Sequence, residues 1–192
     1  DDLGNYNGTI NGSPTWQPTG GQIDGALQLH SATSDTVEMV DYKGILTANP
    51  RTVTAWIKTS DLNAHLVSWG HTNVTGSKWV FRTAASGAEG RLRLEVGGGA
   101  IVGSTNISNN AWHHIAVVQN LPQISGVKLY VDGTEETYSS VTDTAVDTAS
   151  YTNVGIGAFL DGAAYFDGLL DDVRIYDMAL SDTEVTGLYN QQ

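Results

Sequence analysis

Basic residues are concentrated in one short stretch of an otherwise acidic chain. The 192 residues include nine Lys and Arg against 21 Asp and Glu, which gives a formal net charge of −12. Four of the nine cations fall close together, namely Lys78, Arg82, Arg91 and Arg93. Guanidinium groups in a row suit bidentate contacts with carboxylate or sulfate groups. This stretch therefore predicts a surface that binds anions.

The residues that follow Arg91 alternate in a way that places the charges on one side of a strand. In the run Arg91-Leu-Arg-Leu-Glu-Val96, the side chains of Arg91, Arg93 and Glu95 share one face. We interpret Arg82, Arg91 and Arg93 as anion contacts. A solvated outer face with cross-strand ion pairs, each of little energetic value, would produce the same pattern.

Two tryptophans flank a polar loop just before this strand. Trp69 and Trp79 enclose residues 70–78, which supply His71 and several hydroxyl groups. Sugar rings stack on exposed aromatic rings, because the sugar C–H groups carry partial positive charge. We therefore expect Trp69 or Trp79 to be a stacking platform, with His71 and Glu95 bonding hydroxyl groups. Strand alternation supports a competing interpretation, in which both rings pack in the core.

Residues that could act as an acid and base pair are placed unfavourably. Glu135 and Glu136 are adjacent, as are His113 and His114, and neighbouring residues on a strand point to opposite faces. Two carboxylates that cleave a glycosidic bond must instead flank one sugar. The chain has no cysteine, and no serine lies in a recognisable nucleophile elbow. We therefore expect no catalytic residues and no enzymatic activity.

Short alternating runs separated by turn residues must position these groups, and they indicate an all-β chain. The predicted strands are Ala26–Leu29, Thr36–Val40, Thr52–Lys58, His65–Gly70, Lys78–Thr83, Arg91–Val96, Ala100–Ser104, His113–Gln119, Val127–Val131, Asn153–Ile156 and Asp167–Tyr176. Asp132-Gly133 predicts a tight hairpin whose return strand is Thr134–Ser140. Ser181 and Glu184 have capping-box spacing, which predicts one short C-terminal helix. The elements predict one domain, 1–192, folded as a two-sheet antiparallel β-sandwich.

Charge and hydropathy exclude some classes of partner. The excess of acidic residues argues against nucleic acid. No apolar run approaches the roughly 20 residues that a membrane span needs. Without cysteine the fold cannot depend on disulfide bonds. The chain starts at Asp1 rather than at Met, and we interpret it as a piece excised from a longer protein.

Six blocks of residues, in order and covering most of the chain, carry a resemblance to a known family. They are Asp1–Ile10, Gly25–Leu29, Thr52–Ile57, Trp112–Val117, Leu129–Gly133 and Gly168–Tyr176. In this order and spacing the chain resembles the laminin-G-like, concanavalin-A-type jelly-roll domains. The resemblance implies a secreted or cell-surface β-sandwich. Such domains are often calcium-holding carbohydrate-binding modules attached to a polysaccharide-degrading enzyme or an adhesin.

The same resemblance implies a structural calcium site that joins the two ends of the chain. Asp1, Asp2, Asn5 and Asn7 resemble the Asp-x-x-Gly-Asn opening of the family, and Asp171 resembles its second contributor. Carboxylate and amide oxygens are ligands that calcium prefers. From the residues alone, an Asx-rich turn whose side chains bond to their own backbone remains an alternative.

The combined prediction is a secreted, non-catalytic carbohydrate-binding module for an acidic polysaccharide, either sulfated or carboxylated. Such a module would hold an attached catalytic or adhesin domain on its target. The alternative is a structural or adhesion domain that binds other proteins through the same sandwich. A shallow polar surface with all five tryptophans buried would favour that alternative.

Overall fold

Two antiparallel β-sheets packed face to face form the fold in the computed structural model, which describes residues 6–84, 87–159, 162 and 164–191. The strands are β1 Gly8–Asn11, β2 Thr15–Gln17, β3 Ala26–Leu29, β4 Thr36–Met39, β5 Arg51–Lys58, β6 His65–Gly70, β7 Lys78–Thr83, β8 Arg91–Val96, β9 Gly99–Asn106, β10 Trp112–Gln119, β11 Val127–Val131, β12 Thr134–Glu135, β13 Tyr138–Thr142, β14 Thr152–Ile156 and β15 Gly168–Tyr176. One helix, α1, follows at Asp182–Tyr189.

The strand order confirms the all-β jelly-roll sandwich. One sheet has eight strands in the order β1-β4-β14-β6-β7-β8-β9-β13, and the other has seven in the order β12-β11-β10-β5-β15-β3-β2. Apart from the return strand of the hairpin, every predicted strand has an observed counterpart whose ends differ by two residues or fewer. The short strands β1 and β2 were not predicted, because they lack an alternating apolar pattern.

The predicted return strand Thr134–Ser140 is divided between the two sheets, so that part of the hairpin prediction is wrong. Thr134–Glu135 pairs with β11 as expected, but Tyr138–Thr142 crosses over and pairs with β9. Glu136 explains the crossover, because its Oε2 accepts hydrogen bonds from the backbone N–H groups of Ser104 and Thr105, both at 2.8 Å. This carboxylate ties the chain to the end of β9 and redirects it.

The predicted C-terminal helix and its capping box are confirmed. Glu184 N donates to Ser181 Oγ at 3.3 Å, and Ser181 N donates to Glu184 Oε2 at 2.7 Å. A cap of this kind is worth about 1 kcal/mol. Val185 of the helix packs with Ala116 and Tyr130 on the outer face of the seven-stranded sheet. The helix therefore covers the seven-stranded sheet and leaves the other sheet open.

The core lies between the sheets and contains alternate residues of each strand. On β8, for example, Leu92, Leu94 and Val96 are buried, while Arg91, Arg93 and Glu95 point outward. Burial of one such apolar side chain stabilises the fold by about 1.5–3 kcal/mol. Within the described ranges, no helix has both the length and the apolar character needed to cross a membrane.

Candidate functional site

A cleft of about 710 Å³ opens on the outer face of the eight-stranded sheet. Its volume lies in the range typical of small-ligand sites. Strands β4, β14 and β6 form the floor, and the segments at residues 11–12 and 33–34 form one wall. The side chains that face it include Asn11, Thr36, Glu38, Lys43, Ser68, Tyr151, Asn153, Phe159 and Tyr165.

The register of three neighbouring strands sets the shape of the floor. Glu38 of β4 lies opposite Gly155 of β14, and Gly155 lies opposite Ser68 of β6. Residues in register across a sheet share one face. Because glycine has no side chain, the centre of this row is low, and the polar groups of Glu38 and Ser68 stand on either side of it.

A hydrogen-bonded network of donors and acceptors crosses the cleft. Lys43 Nζ donates to Asn153 Oδ1 at 2.7 Å, and Asn153 Nδ2 donates to Glu38 Oε1 at 2.6 Å. All three side chains are half-buried. Lysine has three donors and an ionised carboxylate has several acceptor sites, so both retain capacity for a ligand. Such a network can bind the hydroxyl groups of a polyol, each of which donates and accepts.

The buried carboxylate of Asp35 fixes the loop wall of the cleft. It accepts hydrogen bonds from Ser13 N at 2.6 Å, His30 N at 2.9 Å and Thr33 Oγ1 at 2.7 Å, and it contacts His30 Nδ1 at 3.0 Å. Burial would raise the pKa of Asp35, but the hydrogen bonds from Ser13, Thr33 and His30 outweigh burial and lower it to about 2. Asp35 is therefore an ionised anchor for the wall.

Aromatic rings stand at the far side and at one end of the cleft. Phe159 and Tyr165 belong to a hairpin that follows β14, in which Phe159 N donates to Ala164 O at 2.8 Å. At the end of the cleft, Tyr151 is 65 % exposed and its ring meets the His71 ring edge-on, with centroids 4.2 Å apart. Exposed aromatic faces can stack on sugar rings. Tyr151 therefore has the exposure that a stacking residue needs.

The prediction that Trp69 or Trp79 is a stacking platform is wrong. Both rings are fully buried and stack on each other with centroids 5.6 Å apart. Trp69 Nε1 donates to Ile45 O at 3.1 Å, and the guanidinium of Arg51 lies 4.9 Å from the Trp79 ring centroid. Strand alternation holds at the end of β6 and at the start of β7, so both residues face the core and cannot touch a ligand.

The predicted basic row is present as a compact cluster on the same outer face. Glu95 is surrounded by Lys78, by Arg93 at 2.9 Å and by Arg82 at 3.7 Å, and these four residues are called the basic cluster. Burial raises the pKa of Glu95, but its hydrogen bond with Lys78 and the nearby guanidinium groups hold it below the ordinary value. Arg91 shares this face but takes no part in these ion pairs.

The Phe159 ring separates the basic cluster from the cleft. It packs edge-on against His65 with centroids 5.3 Å apart, and Lys78 Nζ lies 5.4 Å from its centroid. His71 lies elsewhere, beside a smaller cavity of about 430 Å³. The structure therefore brings Arg82, Arg93 and Glu95 together but does not place them with His71.

The predicted calcium ligands are only partly within the described residues. Asp1, Asp2 and Asn5 lie outside them, and Asn7 is exposed before β1. Asp171 is 8 % exposed, and its Oδ2 accepts hydrogen bonds from the backbone N–H groups of Gln22 and Ile23, both at 2.8 Å. Among the residues with described positions, no three or more His, Asp or Glu side chains form a metal-binding group. The calcium site stays a prediction.

The carboxylates and histidines considered for catalysis have other partners. Glu135 pairs with Lys128 at 2.9 Å, and Glu136 accepts hydrogen bonds from the backbone N–H groups of Ser104 and Thr105. His113 contacts Asp132 at 2.9 Å, while His114 is buried on the other side of β10. None of these groups is aimed at a common point in the cleft, and none of them lines it.

The residues that line the cleft were largely missed from the sequence. Glu38, Lys43 and Asn153 come from segments that meet only through the pairing of β4 with β14. Tyr151 carried a usable signal, because it is an aromatic residue in a polar segment without apolar alternation. Such a residue is more often exposed than one within an alternating strand.

Comparisons with solved structures agree with the observed architecture. One similar structure is domain 4 of AbnA, a GH43 extracellular arabinanase from Geobacillus stearothermophilus, solved in complex with arabinotriose. It has 22 % sequence identity and a TM-score of 0.74, and the match covers 99 % of this chain and 92 % of that one. The binding domain of Paraclostridial Mosquitocidal Protein 1 is similar with 18 % identity and a TM-score of 0.64, over 97 % of this chain and 47 % of that one.

A third similar structure is the binding domain of botulinum neurotoxin serotype G, with 16 % identity and a TM-score of 0.62, over 97 % of this chain and 47 % of that one. This chain thus spans about half of each toxin domain. No curated protein sequence matches it. The Laminin G 3 family model, described as the concanavalin A-like lectin/glucanases superfamily, matches residues 20–186. The chain therefore belongs to the concanavalin A-like lectin/glucanases superfamily.

Proposed function

We propose that this domain binds carbohydrate without cleaving it, and that the sugar occupies the cleft over β4, β14 and β6. The observation that carries the proposal is the Lys43–Asn153–Glu38 network, which presents donors and acceptors beside the exposed ring of Tyr151. Apolar ring faces beside a few fixed polar groups are the usual make-up of a small-ligand site. The similar arabinanase domain solved with arabinotriose supports a sugar as the ligand.

The spacing of carboxylates supports binding without catalysis. Glu38 is the one carboxylate among the described residues that line the cleft. Glu95 lies in the same row across the sheet, with Val80, Ser68 and Gly155 between them. Four strand spacings separate Glu38 from Glu95 by roughly 19 Å. Two carboxylates that hydrolyse one glycosidic bond need to be only about 5–10 Å apart.

The finer proposal is that the polysaccharide is acidic, sulfated or carboxylated. The basic cluster sets three cations against one carboxylate, so two positive charges stay unbalanced within it. The cluster lies next to the cleft, on the other side of Phe159. Arginine forks suit carboxylate and sulfate groups. An acidic unit of the glycan would bind here while its neighbour occupies the cleft.

Affinity gel electrophoresis tests both levels of the proposal. Gels containing arabinan, xylan, polygalacturonate or heparin should show whether the domain prefers neutral or acidic polysaccharides. We expect at least one of these polysaccharides to retard the domain. Loss of two guanidinium groups in Arg91→Ala/Arg93→Ala should reduce retardation on the acidic gels. A double variant that migrates like the unmodified domain on every acidic gel would refute the acidic preference, and absence of retardation on all four gels would count against carbohydrate binding.

The described part of the chain gives less support to the competing role as a protein-binding adhesion domain. That role fits a shallow face with every tryptophan buried, whereas the cleft is open and Trp16 is 61 % exposed. The toxin binding domains share the fold, which by itself does not define a ligand.

We further propose that the domain is secreted and that its parent chain carries catalytic or adhesin domains.

We also propose the structural calcium site, with oxygen ligands from Asp1, Asp2, Asn5, Asn7 and Asp171. An all-oxygen set of carboxylates and amides matches calcium chemistry. Asp171 Oδ1 is not engaged by the two backbone donors that hold Oδ2. Adding a chelator should lower the melting temperature by several degrees, because a bound ion stabilises only the folded state. An unchanged melting temperature after dialysis against chelator would contradict the site.

A further inference from the structure

A second cavity of about 430 Å³ lies beyond the end of the cleft that Tyr151 occupies. Segments 71–77 and 147–150 form its walls, and Thr47 and Thr148 belong to its floor. The chain passes directly from this cavity into the cleft, since Ser150 faces the cavity and Thr152 faces the cleft. The two spaces therefore adjoin each other near Tyr151.

The rings of Tyr151 and His71 meet where the two spaces adjoin. Tyr151 lines the cleft and His71 lines the second cavity, and their ring centroids are 4.2 Å apart. Tyr151 is 65 % exposed, so its ring is accessible rather than a closed partition. A glycan chain that leaves the cleft over this ring would enter the second cavity.

We propose that the cleft and the second cavity form one extended groove, in which the second cavity is an additional sugar-binding subsite and Tyr151 is the stacking residue between the two. The inference rests on the proposed carbohydrate-binding function and deepens it. A groove made of both spaces would take more consecutive sugar units than the cleft alone.

The chemistry of the second cavity suits sugar hydroxyl groups. His71 Nδ1 accepts a hydrogen bond from Asn73 N at 3.1 Å, so the neutral ring carries its proton on Nε2, which is then a donor. The Asp147 side chain is exposed, and within the described part of the chain it takes part in no hydrogen bond or ion pair. Exposed hydroxyl groups of Thr75 and Ser150 add donors and acceptors.

The floor of the second cavity is held in place from below by Arg51. Its Nη1 donates to Thr148 Oγ1 at 2.8 Å, and its Nη2 donates to Thr47 O at 2.7 Å. Thr47 and Thr148 are also joined by two backbone hydrogen bonds, of 2.8 and 3.1 Å. A preorganised site loses less entropy on binding than a mobile one. The loop segments that form the floor of the cavity are thus held in position by hydrogen bonds.

The walls of the cavity are joined to each other as well. Asp147 N donates to Gly76 O at 3.0 Å, and Ala149 N donates to Ser77 O at 3.1 Å. Gly76 has a φ of 75° and could not carry a side chain here, because a Cβ would lie 2.5 Å from Ala145 O. The left-handed turn at Gly76 therefore lets the two segments approach and close the side of the groove.

A chain-length experiment tests the extended groove. Trimers and octamers are prepared from whichever of arabinan, xylan, polygalacturonate and heparin retards the domain, and their affinities are measured by titration calorimetry. We expect the octamer to bind about tenfold more tightly than the trimer, since it gains contacts in the second cavity. Equal affinities for the two lengths would overturn the extended groove and leave the proposed function standing.

A variant that fills the second cavity tests whether the higher affinity of the octamer comes from contacts in that cavity. Ser150→Trp should reduce the octamer-to-trimer affinity ratio to within about twofold of unity. Ser60→Trp is the matched control, because Ser60 is exposed and lines neither space, and its ratio should equal that of the unmodified domain. A Ser150→Trp ratio as large as that of Ser60→Trp would overturn the inference. Absence of binding by either oligomer would overturn it together with the proposed function.

If Ser150→Trp does not fold, Asp147→Ala supplies the same test by removing a ligand contact instead of adding bulk. Asp147 is exposed, and among the residues with described positions it forms its hydrogen bond through the backbone N–H. Its octamer-to-trimer ratio should fall by about threefold or more, as expected for the loss of one hydrogen bond to a charged group. An unchanged ratio in this variant would contradict the subsite.

Discussion

Lys43 and Asn153 are 110 positions apart in the chain, yet the lysine Nζ donates to the asparagine Oδ1 at 2.7 Å. This bond fixes the amide so that its nitrogen faces Glu38, to which it donates at 2.6 Å. Asn153 therefore separates a cation from an anion in the cleft and keeps both oriented. Without it, the two charged groups would be free to approach each other and to turn away from a ligand.

Replacement of Asn153 by alanine should weaken sugar binding more than it weakens folding. We expect affinity to fall at least about tenfold, because Lys43 and Glu38 lose their common partner and their orientation. The free energy of unfolding should fall by only about 1 kcal/mol, the value of a half-exposed hydrogen-bonded group. Calorimetric titration and urea denaturation measure the two effects. A variant with unchanged affinity would show that the network is structural only.

Replacement of Tyr151 tests the stacking role of its ring. Tyr151→Ala should reduce affinity about twofold to tenfold, since an aromatic contact is worth roughly 0.5–1.5 kcal/mol, while Tyr151→Phe should keep most of it. Trp16→Ala is the matched control, because Trp16 is an exposed aromatic residue outside the cleft. If Tyr151→Ala and Trp16→Ala bind equally well, the ring does not contact the sugar.

The sandwich was predictable from the sequence because its strands and helix depend on local patterns. Alternation in Arg91–Val96 and the Ser181–Glu184 spacing each specify their element within a few residues. The split of the hairpin after Gly133 was not predictable, because it depends on Glu136 reaching the backbone of Ser104 and Thr105. Such a contact arises only once the two sheets are assembled.

The candidate site was much less predictable than the fold. The basic cluster was foreseen because Arg91, Arg93 and Glu95 are close in sequence and alternate with buried residues. The cleft was not foreseen, because its network joins Lys43 to Asn153 through strand order, which no local pattern contains. The prediction that Trp69 or Trp79 is exposed was wrong because an aromatic residue beside a polar loop can lie on either face of a strand.

Two buried histidines should make folding sensitive to mild acid. Burial, with the charge of Arg82 acting in the same direction, lowers the pKa of His65 to about 4. Burial likewise lowers the pKa of His114 to about 4, although Asp132 opposes it. An unfolded histidine titrates near pH 6.5, so between about pH 6.5 and 4 the unfolded chain binds more protons than the folded one. Stability therefore falls as the pH is lowered through this window.

The size of this acid effect can be measured with a variant that does not titrate. His114→Phe keeps an aromatic ring beside Trp56 and removes a buried nitrogen, Nδ1, that has no hydrogen-bond partner among the described residues. Each histidine contributes at most about 3 kcal/mol across the window, so the variant should lose roughly half of the pH dependence. Urea denaturation between pH 4 and 7 gives the slope. A variant with the same slope as the unmodified domain would assign the effect to other groups.

The carboxylate of Asp35 should govern stability in a more acidic range and should also affect binding. Its pKa of about 2 lies below its ordinary value of 3.8, so the stability it supplies is complete above about pH 4 and is lost as the pH falls toward 2. Asp35→Asn cannot accept as many hydrogen bonds from Ser13, His30 and Thr33. We expect a loss of about 2–3 kcal/mol at pH 7 and a shallower acid transition.

The binding measurement distinguishes an anchor of the cleft wall from a residue that stabilises the fold generally. Asp35 holds the loops that carry Asn11 and Thr33 into the cleft, so Asp35→Asn should weaken sugar binding about threefold or more under conditions where the variant is fully folded. Asp41→Asn, at an exposed carboxylate outside the cleft lining, is the control and should match the unmodified domain. Affinity depends on the positions of Asn11 and Thr33 rather than on the total stability of the domain. Normal affinity in folded Asp35→Asn would therefore show that the cleft wall keeps its shape without this carboxylate.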